Sequence, residues 1–85
     1  MPFSLVTVSD YLSFEFDVAD FDAVRTYISE HYSDMSSKAA GTATVVRFGG
    51  EDFTYQNEWD DPCLISHSTT GDDLLRSMHA HFQRS

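Results

Sequence analysis

Hydrophobic and polar positions alternate from Phe3 to Val8 and again from Tyr11 to Asp17, which predicts two strands joined by a two-residue loop at Ser9-Asp10. Pairing across that loop sets Leu5 opposite Phe14 and Phe3 opposite Phe16. One face then carries Phe3, Leu5, Thr7, Leu12, Phe14 and Phe16, and the other Ser4, Val6, Val8, Tyr11, Ser13 and Glu15. The aromatic rings gather on one side, as in a hairpin that lays one face on helices.

The period then changes. After Asp20, apolar residues recur at Phe21, Val24, Ile28, Tyr32 and Met35, a helical spacing that predicts an amphipathic helix of about four turns, with Asp22 favourably placed in the first one. Asp22, Arg25, Thr26, Ser29, Glu30 and Ser33 form its outer face. The small residues Ser36–Gly41 read as a connection back to the sheet.

Three β-rich runs follow, Thr42–Phe48, Phe53–Trp59 and Cys63–Ser68, and they predict an antiparallel meander. Whether the first turn is Gly49-Gly50 alone or includes Glu51-Asp52, Val46, Phe48, Phe53 and Tyr55 share one face; the shorter version also sets Arg47 opposite Asp52. The second turn is two or three residues around Pro62, a choice that decides which side chains point inward, and it is read as three, Asp60-Asp61-Pro62. That register groups Cys63, Ile65 and His67 with Asn57 and Trp59 on the covered side and leaves Leu64 outside. A last helix opens at Thr69-Thr70-Gly71-Asp72-Asp73, with Thr70 as N-cap, Asp73 at the capping-box position, and a stripe of Leu74, Leu75, Met78 and Phe82. The expected architecture is α+β: a two-layer sandwich in the order β-β-α-β-β-β-α, with a mostly antiparallel five-stranded sheet and two helices on one face.

Length changes little in this picture, since 85 residues hold one core and hence one domain, residues 1–85. Charge changes more. Fourteen Asp and Glu against five Lys and Arg give a formal charge of −9. Phosphate backbones and anionic membranes are thereby disfavoured as direct partners, and a basic protein surface is favoured through long-range attraction. One cysteine, Cys63, rules out an intramolecular disulfide and fits a reducing compartment. The start at Met1-Pro2-Phe3-Ser4 has no basic region followed by an apolar run, and no stretch is apolar enough to span a bilayer, so a soluble cytoplasmic protein of bacterial or phage type is expected.

The residues that carry chemistry elsewhere are poorly spaced for it here. His79 and His81 stand two apart on a helix, roughly 200° around its axis, whereas a helical chelate needs three or four. Cys63 and His67 lie ~13 Å apart along a strand, too far for one ion or for a nucleophile and its base. Cys63 is therefore expected as a small buried apolar residue, and no metal or cofactor is expected. Carboxylates fall at turns, where water keeps them ionised, and phosphate-loop, dinucleotide and nucleophile-elbow motifs are absent from the sequence.

Two helices with one stripe each cover one side of the sheet. Val6, Val8, Tyr11, Val45 and Leu64 are therefore expected exposed beside Glu15, Gln56 and Glu58. The sequence thus points to a non-enzymatic acidic protein-binding module of the inhibitor, immunity-protein or antitoxin type, seated on a basic surface of a nucleic-acid enzyme. Its expected partner-binding residues are Tyr11, Glu15, Val45, Gln56, Glu58, Asp60 and Asp61, with Glu58, Asp60 and Asp61 standing in for phosphates. One alternative is a small structural or adaptor subunit that homodimerises through the open sheet face. Another is a ligand-binding or enzymatic domain with a pocket near Trp59 and His67, lined also by Tyr55, Asn57 and Cys63.

Overall fold

Six antiparallel strands, β1 (Ser4–Val8), β2 (Tyr11–Glu15), β3 (Ser36–Ala40), β4 (Ala43–Phe48), β5 (Glu51–Glu58) and β6 (Asp61–Ser66), form one sheet in the order β1-β2-β6-β5-β4-β3. Helix α1 (Phe21–His31) follows a short 3-10 turn at Val18–Asp20, and α2 (Thr69–Gln83) closes the chain. The computed structural model describes residues 3–8, 10–58 and 61–83, and of Glu58 and Asp61 the backbone alone. The α+β two-layer sandwich is as expected, with one strand more.

The first hairpin takes the expected register, Leu5 opposite Phe14 and Val8 opposite Tyr11. The second takes the shorter of the two turns considered: Gly49 and Gly50 both adopt positive φ, 61° and 77°, and leave Arg47 opposite Asp52. A two-residue turn with left-handed residues at both central positions matches the twist of the strands it joins.

Three expectations are corrected. The extra strand is β3, made of the segment read as a connection: Ser36-Ser37-Lys38-Ala39-Ala40 has little intrinsic strand preference, but a turn at Gly41, φ 66°, folds it back on β4, with Ala40 opposite Ala43. Helix α1 is shorter than predicted, because Tyr32 leaves the helical region at φ −135°, ψ 112°. Met35 therefore lies beyond the helix, and Tyr27 takes a core place beside Val24 and Ile28.

The third correction matters most. Glu58 pairs with Asp61, so the β5–β6 loop is two residues long and Pro62 lies within the ladder opposite Asn57. A one-residue change of register exchanges the faces of a strand. Leu64 consequently points into the core at 2% exposure, opposite Phe14 and Tyr55, while Cys63 and Ile65 stand on the other face. Pro62 is tolerated because it needs no donor there, and its carbonyl accepts from Phe16 N–H at 3.2 Å.

The covered face is continuous across the strands: Phe14, Leu64, Phe53, Val46 and Phe48 join Val24, Ile28, Leu75 and Met78 in one core. Its aromatic rings pack closely, with Phe48 and Phe53 stacked at 4.2 Å and Phe3 on Phe82 at 4.6 Å. Helix α2 is capped by Ser68 rather than Thr70: the Ser68 hydroxyl accepts from Gly71 N–H at 2.9 Å and bonds to the Glu51 carboxylate. Asp72 is buried and accepts from Leu12 N–H at 2.9 Å, just past the last β2–β6 pair, Ser13 with Ile65, where the β2 amide would otherwise lack a partner. None of the described helices is long and apolar enough to cross a membrane.

Candidate protein-binding surface

Strand pairing lays out the face opposite the helices as rows of side chains. The central row runs Val6, Ser13, Ile65, Thr54, Val45 and Lys38, each directly opposite the next. A flanking row runs Ser4, Glu15, Cys63 and Gln56. On the other side Val8 pairs with Tyr11, and Asp52 with Arg47 and Ser36. Helices α1 and α2 both pack on the opposite face, although Ser13 in the central row is only 1% exposed. Val6 and Val8 are 38% and 43% exposed, and Tyr11, Val45, Cys63, Ile65, Thr54, Gln56 and Glu15 are half-buried by their neighbours.

Four of the expected binding residues, Tyr11, Glu15, Val45 and Gln56, share this face. Glu58 and Asp61 occupy the paired positions two beyond Gln56 and Cys63, and Asp60 and Trp59 lie outside the described residues. One strand shows the face opposite to that expected. Ile65 and Cys63 take the place given to Leu64, and Cys63 is half-buried on the open side instead of sitting in the core. The pocket expected near Trp59 and His67 does not assemble from its other members, since Asn57 and Cys63 fall on opposite faces, and exposed His67 meets Thr54 Oγ1 through Nε2 at 2.7 Å. Among the described residues no three His, Cys, Asp or Glu side chains converge as a metal site.

Charge is unevenly distributed over the molecule. Five carboxylates have local structural duties: Asp34 holds the Gly49 and Gly50 amides, Glu51 meets Ser68, Asp72 caps the β2 amide, and Asp52 and Asp73 pair with Arg47 and Arg76. The Arg47–Asp52 pair, at 2.9 Å, also neutralises one of the two Lys or Arg side chains on the open face among the described residues; the other, Lys38, lies on the edge strand. Glu15, Asp17, Asp20 and Asp22 make no ion pair among the described residues. They follow one another around the end of β2, the 3-10 turn and the start of α1, and the Phe16–Pro62 bond brings the entry of β6 alongside. Asp20 occupies the N-cap position of α1 without a side-chain capping bond. The open face therefore has Glu15 and Asp17 at one end, an apolar middle and Lys38 on its β3 edge, while Asp10 and Glu30, elsewhere on the surface, also make no ion pair among the described residues.

Five inter-strand gaps and five-residue strands give this face roughly 24 by 17 Å, about 400 Å² in plan. A stable interface buries about 800 Å² per partner, so an occupant of the face would also need the adjoining acidic end. Compared with known proteins, the chain matches no family model, no curated protein and no solved structure.

Proposed function

We propose that the chain is a non-enzymatic acidic binding module of the inhibitor, immunity-protein or antitoxin kind, which seats its open sheet face and acidic end on the basic surface of a nucleic-acid enzyme. The observation that carries this reading is the open sheet face with an apolar centre, Val6, Ile65 and Val45, flanked at the end of β2 by Glu15 and Asp17, which make no ion pair among the described residues. Apolar contacts at the middle of such a face supply affinity, and the carboxylates supply rate and selectivity for a positive partner. A net charge of −9 adds long-range attraction.

Affinity capture from the source cell at low and high salt tests it. The reading expects a basic nucleic-acid enzyme that is retained at low salt and whose activity falls on binding. Recovery of only neutral or acidic partners, or salt-independent binding without inhibition, contradicts it.

The adaptor reading is supported by the edge strand β3, whose residues Ser36–Ala40 are exposed throughout and small enough for a second chain to pair along them. Sedimentation separates the two: the binding module is a monomer without its partner, and the adaptor is a dimer at micromolar concentration.

A further inference from the structure

The covered side holds a feature for which the open face has no use. A cavity of about 210 Å³ lies between α1 and the sheet, walled by Phe16, Val24, Ile28, Val46, Tyr55 and Leu64. Its origin is legible in the strand register. The inward positions of β3 are Ser37, opposite Val46, and Ala39, opposite Thr44, and neither side chain is large enough to fill the space under the helix. Phe21, also on the lining, is 38% exposed and packs its ring on Tyr55 at 5.7 Å, tilted by 60°. Of the described residues on the lining, Arg25 alone is charged.

The geometry points to a binding site for a small apolar monocarboxylate, its ring or short alkyl body enclosed between α1 and the sheet and its carboxylate held by the Arg25 guanidinium. The size fits, since a cavity of ~150 Å³ encloses benzene, and this hollow of about 210 Å³, open to solvent on one side, has room for a ring of that size or somewhat larger. The lining fits too, because ligand pockets combine an apolar wall with few polar groups that fix orientation. Arg25 is the group whose state asks for an explanation. Acids outnumber bases 14 to 5, and Arg47 and Arg76 are both paired, yet Arg25 makes no ion pair among the described residues even with Asp22 one turn away. A guanidinium fork left open beside an apolar cavity matches a carboxylate in two parallel bonds.

The net negative charge of the protein opposes an anion, but only weakly at this site. Charges beyond the ~8 Å screening length of physiological salt contribute little, whereas a pair in direct contact at the edge of an apolar hollow is weakened less. Asp22, three residues before Arg25 on α1, lines the adjoining hollow with Phe21 and Tyr55. It disfavours a second negative charge, hence a monocarboxylate rather than a dicarboxylate. This site is independent of the proposed binding surface and stands or falls without it.

The test uses three probes that share a naphthalene ring, naphthoate, naphthalenemethanol and naphthylmethylammonium, titrated into the intact protein while the methyl NMR signals of Val24, Ile28, Val46 and Leu64 are followed. The expected result is binding of naphthoate with a Kd on the order of 100 µM. Its preference over the alcohol and the ammonium should be about fivefold or more, with shifts confined to those methyls. Arg25 is exposed, so Arg25→Gln should fold normally and bind the three probes about equally. Thr44→Phe, which grows a half-buried lining residue into the void, should abolish the shifts. Absence of shifts in the wild type, equal or tighter binding of the ammonium, or a naphthoate preference that survives Arg25→Gln would overturn the assignment.

Discussion

Truncating neighbouring residues of β6 reads out which face of that strand is buried. Leu64 is 2% exposed, stands between Phe14 and Tyr55 in the ladder, and borders the cavity under α1. Leu64→Ala removes three carbons, worth ~2.4 kcal/mol of transfer free energy at ~0.8 kcal/mol each. The new void joins an existing one, so the wall has little reason to collapse. About 60 Å³ of added cavity at ~24 cal/mol per Å³ contributes a further ~1.4 kcal/mol, for a total near 4 kcal/mol. Ile65→Ala removes as many carbons from a half-buried position on the open face, where water fills the gap, and should cost about 1 kcal/mol. At roughly 5 °C per kcal/mol for a domain of this size, the melting temperatures should fall by about 20 °C and about 5 °C. Urea unfolding of both variants with a common slope gives the difference directly. If Ile65→Ala costs as much as Leu64→Ala, the register of β6 is wrong and the open face has a different composition.

Two further perturbations probe the ends of the sheet. An added Cβ at Gly49 would lie 2.7 Å from Leu74 Cδ1 and 3.2 Å from Tyr32 Cε1, whereas Gly50 has nothing within 4 Å. Both residues have positive φ, so Gly50→Ala should cost ~1 kcal/mol from backbone strain alone, and Gly49→Ala clearly more, with part of the excess relieved in a Leu74→Ala background. Equal costs in chemical denaturation would contradict the packing described. Asp34 accepts from the Gly49 and Gly50 amides at 2.9 and 2.8 Å, and these bonds hold its carboxyl below the ordinary value of 3.8. Because its folded pKa is the lower one, its stabilisation is present above the ordinary value and lost as pH falls through the folded one. Wild type should therefore exceed Asp34→Ala in stability at neutral pH by a margin that shrinks in strong acid, and a margin constant from pH 7 to pH 2 would refute that role.

The sequence revealed the first hairpin, the Gly49-Gly50 turn and both helices, because in each the apolar period and the turn chemistry agree. It concealed β3, whose residues become a strand only through pairing with β4, a tertiary effect no local propensity carries. It also misdirected the β5–β6 turn, where Pro62 reads as a turn residue but is accommodated in the ladder with its carbonyl on Phe16. That single shift moved Leu64 inward and Cys63 and Ile65 outward. Tyr11, Glu15, Val45 and Gln56 were legible as surface residues because their strands have an unambiguous inner face. The cavity and Arg25 were not, since both depend on how far α1 stands from β3.

The most direct test of the binding proposal places the same charge change on the two sides of the molecule and measures affinity for the captured partner. Tyr11→Lys and Val45→Lys alter the open face, and Thr26→Lys and Ser29→Lys alter the exposed side of α1. The account predicts at least a tenfold loss of affinity for each open-face variant and less than a twofold change for each helix variant. Equal losses on both sides would reduce the interaction to net charge, and losses confined to α1 would place the binding surface on the other side of the sheet.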